Sequence, residues 1–411
     1  MKNFVFFTLN NFQKEGGGTI RMLGIINELT KIEGTNVTLI SPILNKGKVH
    51  SSVTHVEVPF EFSQKDKRQF QFLLGAFGVS IVNVVYKSEL QQLEQVFRKF
   101  DKNTKYIFLE YLDNSMGYWL KMNKVIQGYV NDIHGIATHE FDFQAQRATS
   151  LKSKSFFWIK KKVSEKLDNK VFSNADGILY ASKAMNEYFC DLYPSLKGKK
   201  NVYLPYVLNY QNIKAPDQDL VNTLKTKLNI ESSDFVYLFA GAFKEITGVE
   251  DLISSFDKVA SRHKNCKLLL IGDGPNLERC QQLSVGLVNK ERIVLLGRQP
   301  YDYLTSFQEL SDVLVCPDRQ NLFSELIVHV KYLDALVSGK PVINGKFKSV
   351  MEINEGKDLS LLFKPSDSKD LEDQLEKAII NYDELTKLYS SSKDYVLNNL
   401  TYTNYIQNLM N

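Results

Sequence analysis

The stretch Lys331-Tyr332-Leu333-Asp334-Ala335-Leu336-Val337-Ser338-Gly339-Lys340-Pro341-Val342-Ile343 decides the fold. It reads as a helix that stops at Gly339, a proline just after it, and then a strand. Glycine ends a helix because it takes up the left-handed conformation without steric cost, and a proline close behind keeps the helix from resuming. The same alternation runs outward from this point. In the second half of the chain, strands are expected over 235–239, 267–271, 293–296, 313–316 and 341–343. In the first half they are expected over 4–7, 37–40, 106–109, 125–130 and 177–181. Most are near-continuous runs of Val, Ile, Leu and Phe, as strands covered on both faces should be. Between them lie helical stripes: Met22, Ile25, Ile26 and Leu29 form one, and Val249, Leu252, Ile253 and Phe256 another. Such alternation predicts parallel sheets with right-handed crossovers, built twice over.

The 411 residues suit two domains. The polar stretch 206–233, with Pro216, reads as the junction. The expected division is 1–205 and 206–385, followed by a C-terminal helical segment, 386–411, that packs back on the first domain. The fold class is therefore α/β, with two Rossmann-like doubly wound domains facing across a cleft. Ligands of such sheets bind in the crevice outside the carboxyl ends of the strands, so chemistry is sought in the loops there.

Charge divides along the same boundary. Through Pro205 there are 28 Lys and Arg against 19 Asp and Glu, +9, and the remainder has 23 against 28, −5. Seven lysines lie between Lys152 and Lys170 beside Phe156-Phe157-Trp158, and Lys65, Lys67 and Arg68 precede the apolar run 70–86. That run is shorter than a membrane span and reads as a buried helix followed by a strand. Cys190, Cys266, Cys280 and Cys316 have no C-x-x-C spacing and read as packing residues in a reducing compartment. The N-terminal apolar run reads as a strand rather than a signal peptide. Six histidines without H-x-x-x-H spacing argue against zinc, and Asp217-Gln218-Asp219 lies in the polar junction, so no metal site is expected.

Three loops can carry chemistry. Gly16-Gly17-Gly18 follows the first strand and leads into a helix, where backbone N–H groups and the helix dipole favour an anion. Gly272-Asp273-Gly274-Pro275 follows the strand 267–271, a glycine pattern that is weak by itself. Lys331 and Asp334 share one helix face. They are placed either to form a solvated ion pair or, at a helix start, to meet phosphate and ribose hydroxyls.

The run 331–343 resembles the hallmark helix of family 4 of the retaining GT-B glycosyltransferases, K-x-x-E-x-x-x-x-G-K-P-V-I. Other pieces are similar to that family in the same order along nearly the whole chain. They are Gly16–Gly18, Asp132-Ile133-His134-Gly135 followed by Glu140, Tyr180-Ala181-Ser182, Phe239-Ala240-Gly241-Ala242-Phe243-Lys244, Gly272-Asp273-Gly274-Pro275 and Leu296-Gly297-Arg298. The resemblance implies donor binding by Gly16, Gly17, Gly18, Gly241, Gly272, Arg298, Lys331 and Asp334, and catalytic roles for His134, Lys244 and Glu325. Asp334 stands where the family has a glutamate that holds the ribose. Leu326 stands where it has an earlier glutamate, with Glu325 one residue away. Ala242 and Thr247 replace the family's arginine and lysine, and Lys244 is the nearest cation.

What the resemblance implies is a retaining, metal-independent transfer from a nucleotide-diphosphate sugar to a saccharide or lipid-linked saccharide, in surface polysaccharide or glycoconjugate synthesis, with no cofactor. Donor choice would depend on loop contacts around Arg298, Arg319 and His134. The basic first domain suits an anionic membrane surface, and no nucleic-acid module is present. The expected location is cytoplasmic, extending to the inner membrane face. Two other readings stay open: a GT-B-fold nucleotide-sugar epimerase and a non-catalytic scaffold of the same fold.

Overall fold

Runs of buried Val, Ile, Leu and Phe set both sheets, because such side chains gain most from leaving water on both faces of a parallel strand. In the computed structural model the described residues are all but 11–16, 43–48, 110, 134–137, 139–140, 142–143, 147, 209–213 and 411. The chain folds as two compact units, Met1–Pro205 with Tyr405–Asn411, and Tyr206–Asn404.

The first unit contains β1 (Lys2–Phe7), α1 (Gly17–Leu29), β2 (Thr35–Ser41), β3 (Thr54–Glu57), α2 (Gln64–Ala76), α3 (Val79–Val85) and α4 (Lys87–Phe97). It continues with β4 (Lys105–Phe108), α5 (Tyr111–Met122), β5 (Val130–Asp132), α6 (Leu151–Asn174), β6 (Gly177–Tyr180), α7 (Lys183–Leu192) and β7 (Val202–Tyr203). Its seven strands run in the order β3-β2-β1-β4-β5-β6-β7 and every pairing is parallel. The core over one face is aromatic. Phe97 stacks on Phe108 at 6.1 Å, and Phe7 meets both rings at 5.7 and 5.5 Å.

The second unit contains α8 (Gln218–Lys227), β8 (Phe235–Ala240), α9 (Val249–Arg262), β9 (Cys266–Ile271), α10 (Leu277–Val285), β10 (Ile293–Gly297), α11 (Leu304–Leu310) and β11 (Val313–Cys316). Then come α12 (Leu322–Leu326), α13 (Val330–Val337), β12 (Val342–Gly345), α14 (Lys348–Ile353), β13 (Leu361–Phe363), α15 (Ser368–Ile380), α16 (Tyr382–Leu388) and α17 (Ser392–Asn399). The six strands are parallel in the order β10-β9-β8-β11-β12-β13. The α9 stripe Val249, Leu252, Ile253 and Phe256 is fully inside, as its spacing predicts.

Four expectations need correcting. The run 70–86 is two helices, α2 and α3, rather than a helix and a strand. Gly78, at φ +92°, turns the chain between them, and Val82 and Tyr86 drop into the aromatic core while Val84 and Val85 face water. Burial of every third or fourth residue favours a helix even in a β-branched run. The strand expected over 125–130 starts only at Val130, because Lys124 takes φ +58° and Val125 N–H closes a turn on Leu120 O. The polar junction contains α8, whose start Asp217 caps by accepting from Asp219 and Leu220 N–H at 3.0 and 3.1 Å. That capping role accounts for Asp217. Beyond residue 386 the chain belongs to the second unit as far as Asn404; only Tyr405–Asn411 joins the first. There Asn408 Nδ2 donates to Tyr203 O at 2.9 Å and Lys105 Nζ to Leu409 O at 3.3 Å.

Candidate donor site in the second unit

Strand order marks where a ligand site is expected. From β8 the sheet grows through β9 and β10 on one side and through β11, β12 and β13 on the other, which makes β8/β11 the switch point at which ligands of such sheets bind. On one side of it three loops are stitched together by their own backbone. Gly241 N–H donates to Ile271 O, Gly272 N–H to Gly297 O and Phe243 N–H to Asp273 O, each at 2.9 Å. Gly272 has φ +140°, and a Cβ there would sit 1.8 Å from Gly241 O, so only glycine lets these loops close.

On the other side, β11 runs into Pro317 and Asp318. Lys331, in the first turn of α13, extends its Nζ to Asp318 Oδ1 at 2.9 Å and Oδ2 at 2.7 Å. The ammonium lies 5.3 Å from the Phe239 ring centre at the end of β8. A side chain at Gly241 would meet the Lys331 Cδ at 3.5 Å and the Phe239 ring at 3.2 Å. Lys331 and Asp334 are therefore not paired with each other. Asp334, one turn further along α13, accepts from Tyr301 Oη at 3.1 Å. Burial raises its carboxyl to about 7 although the Tyr301 hydrogen bond pulls it down.

The remaining candidates occupy varied positions. Lys244 is exposed at the turn after β8, with its N–H donating to Thr247 Oγ1 at 3.1 Å. Arg298 is exposed immediately after Gly297. Glu325, on α12, accepts from Gln320 Nε2 at 2.7 Å and from the Lys348 N–H that opens α14 at 2.9 Å. Leu326 beside it is buried. Arg319 grips Asp251 through Nε at 2.6 Å and Nη2 at 2.7 Å, which holds the loop after β11 against α9.

In the first unit, Gly17 opens α1 and Gly18 follows in its first turn. Gly16 and His134 lie outside the described residues. Just before His134, Asp132 ends β5 in a fully buried ion pair with Arg21 of α1. Arg21 Nη2 reaches Oδ1 at 2.9 Å, Nε reaches Oδ2 at 3.1 Å, and Nη1 donates to Pro205 O at 2.9 Å. Ser182 caps α7 by accepting from Met185 N–H at 2.9 Å. The four cysteines are all buried and free, and burial pushes the Cys316 thiol up to about 12.

Sequence reasoning missed Asp318, Tyr301 and His329. His329 shares a 2.9 Å hydrogen bond with Ser324. Its imidazole is pushed below its ordinary value by burial, with Asp318 opposing and Lys331 and Lys244 adding to the push. Asp318 had a signal: a carboxylate two residues past a buried strand is where α/β sheets place ligand contacts. Tyr301 had none, since its partner lies 33 residues away.

Residues 221–395 match the family described as Glycosyl transferases group 1. N-acetyl-alpha-D-glucosaminyl L-malate synthase of Bacillus anthracis is 24% identical over 176 residues, 43% of this chain and 44% of that protein. The chain spans about half the length of the curated relatives it matches. Among solved structures, HepE of Anabaena in complex with UDP and glucose superposes with a TM-score of 0.70 at 15% identity, covering 100% of this chain and 98% of that one. Sucrose-phosphate synthase of Thermosynechococcus elongatus gives 0.69 at 14%, with the same coverage. The chain has the fold of the GT-B glycosyltransferases.

Proposed function

We propose that the protein is a retaining, metal-independent glycosyltransferase that moves a sugar from a nucleotide-diphosphate sugar to a saccharide or lipid-linked saccharide acceptor in surface polysaccharide or glycoconjugate synthesis. The observation that carries this reading is the placement of Lys331 and Asp334 on one turn of α13 at the β8/β11 switch point, beside loops that glycines hold close. An ammonium has three N–H donors. With Asp318 accepting two of them, one remains for a diphosphate oxygen, and Lys244 is a second cation whose field, like that of Lys331, reaches His329. As the glycosidic bond breaks, negative charge gathers on the diphosphate, and preorganised donors stabilise it most where water is excluded. Asp334, once ionised, accepts two ribose O–H groups. The acceptor hydroxyl attacks from the side the diphosphate leaves, and its proton goes to the departing phosphate oxygen, which yields retention without an enzyme nucleophile. Gly17 and Gly18, at the start of a helix of 13 residues, offer N–H groups of the kind anions bind. HepE, with UDP and glucose bound, makes UDP-sugars the first donors to try.

The test is thermal shift and calorimetry against UDP-, GDP- and other nucleotide sugars, with and without EDTA, followed by NMR of the product anomer. Donor binding that survives EDTA and a product with the donor's anomeric configuration are expected. An inverted product, or affinity that vanishes with the metal, overturns the mechanism. Conversion of the nucleotide sugar with no acceptor present replaces transfer by epimerisation.

A further inference from the structure

The first three turns of α6 bury nothing. From Leu151 to Lys162 each residue is exposed or half-exposed, and the first buried side chain is Ser164. A helix that belonged only to the core would turn an apolar stripe inward here. Instead it carries four consecutive apolar residues, Phe156-Phe157-Trp158-Ile159, which at about 100° per residue wrap the whole circumference. Phe156 is 53% exposed, Trp158 59% and Ile159 46%.

Beside α6 lies a second exposed apolar set. Phe77, Val84 and Val85, on and between α2 and α3, are 64%, 76% and 49% exposed. The two sets belong to one surface, because α2 crosses α6 where a side chain at Gly75 would strike Val163 at 2.8 Å. Lys166 Nζ, on α6, donates to Ala76 O at 3.3 Å, next to Phe77. Lysines ring the aromatic turn: Lys152 and Lys154 precede it, and Lys160 stands over the Phe156 ring at 4.4 Å. Burial lowers the Lys160 ammonium somewhat, and Arg68 of α2 adds to that, so the basic groups of the two helices are close enough to feel each other. No helix among the described residues is long and apolar enough to cross a membrane.

We infer that the outer face of α2, α3 and the first half of α6 docks on an anionic lipid surface, with the aromatic turn inserted at the headgroup level and the lysines on the headgroup phosphates. Trp, Phe and Ile rimmed by Lys are the composition of an interfacial helix, in which apolar burial and charge attraction act together. Charge complementarity selects anionic lipid over a second copy of this chain, since two copies would bring the same lysines face to face. The aromatic turn sets depth and the lysines set lipid preference. The surface stands on the first unit alone and does not depend on how a donor is held.

Cosedimentation of the full chain with phosphatidylcholine vesicles, and with vesicles containing phosphatidylglycerol, tests this across a salt series. Wild type is expected to bind the anionic vesicles, to leave neutral ones, and to release as salt rises. F156S/W158S should lower partitioning by on the order of 100-fold. K152E/K154E should lower it on anionic vesicles alone, each lysine being worth about fivefold at such a surface. All four positions are exposed, so circular dichroism and the nucleotide-sugar thermal shift should match wild type. Equal binding to both vesicle types, or binding unchanged in F156S/W158S, overturns the proposal. So does a concentration-dependent dimer in analytical ultracentrifugation that F156S/W158S dissolves, which would assign the face to a second copy.

Discussion

Each unit places a buried ion pair where strands end, and the two pairs differ in what they leave over. Arg21–Asp132 has no exposure on either side chain. Its guanidinium spends its fork on both carboxylate oxygens and a third direction on Pro205 O. Lys331–Asp318 keeps 15% exposure on the lysine and 2% on the aspartate. Its ammonium has a donor to spare and an aromatic face at 5.3 Å below it. The arginine pair is closed and fixes where β5 ends, just ahead of His134. The lysine pair is open at one side and holds a charge in readiness. Whether a buried pair can also bind a ligand depends less on its charge than on the number of donors its geometry has already used.

The largest effect that can break this contrast is on the closed pair. Arg21→Ala leaves Asp132 buried without its partner, and the expected loss in urea unfolding is about 3–5 kcal/mol. Arg21→Met with Asp132→Leu should recover most of it, because apolar residues of similar volume can replace a buried pair. A single variant that loses under about 1 kcal/mol would mean that the pair is not sealed.

Next is Lys331→Ala. Turnover of the donor should fall on the order of 100-fold or more, as when one preorganised donor to a developing anion is removed. Lys331→Arg should restore part of it. The variant should stay folded by circular dichroism, and donor affinity equal to wild type in calorimetry would remove Lys331 from the site.

The same contrast explains what was legible in the sequence. The β12 strand, the helix before it and the Lys331 and Asp334 positions are contiguous, so one stretch of 13 residues displays them together. All five strands expected in the second half are present, and among the described residues there only β13, three residues long, went unread. In the first half the decisive contacts join distant positions. Arg21 and Asp132 are 111 residues apart, and nothing local marks either as buried and paired. The run 79–85 is β-branched and reads as strand, yet a helix seats Val82 in the core and frees Val84 and Val85; packing overrides propensity there. Strands β3 and β7, four and two residues long, lie at the sheet edges and are too short for a pattern. In the site itself, the resemblance implies a catalytic role for Glu325. Its oxygens meet Gln320 and, 23 residues downstream, the start of α14, contacts that the sequence does not announce.

The smallest effect concerns Asp334 and is read by pH. Its carboxyl titrates near 7 in the fold, raised chiefly by burial, against an ordinary value near 3.8. Between those values the folded state holds a proton that the unfolded state has released, so stability falls as pH rises through this window and is lowest above 7. The full conversion is about 4 kcal/mol, and contact with water at this half-buried position reduces it to about 1–2. Asp334→Asn should therefore be more stable than wild type at pH 8 and nearly equal to it below pH 4. Donor affinity should move the opposite way: it should rise severalfold from pH 6 to pH 8 in wild type, as the ionised carboxylate becomes a double acceptor for ribose hydroxyls, and stay flat in Asp334→Asn. Tyr301→Phe removes the hydrogen bond that favours the ionised form, so it should shift that rise to higher pH without abolishing it. An affinity profile that ignores both substitutions would leave Lys331 as the helix's sole contribution to the donor.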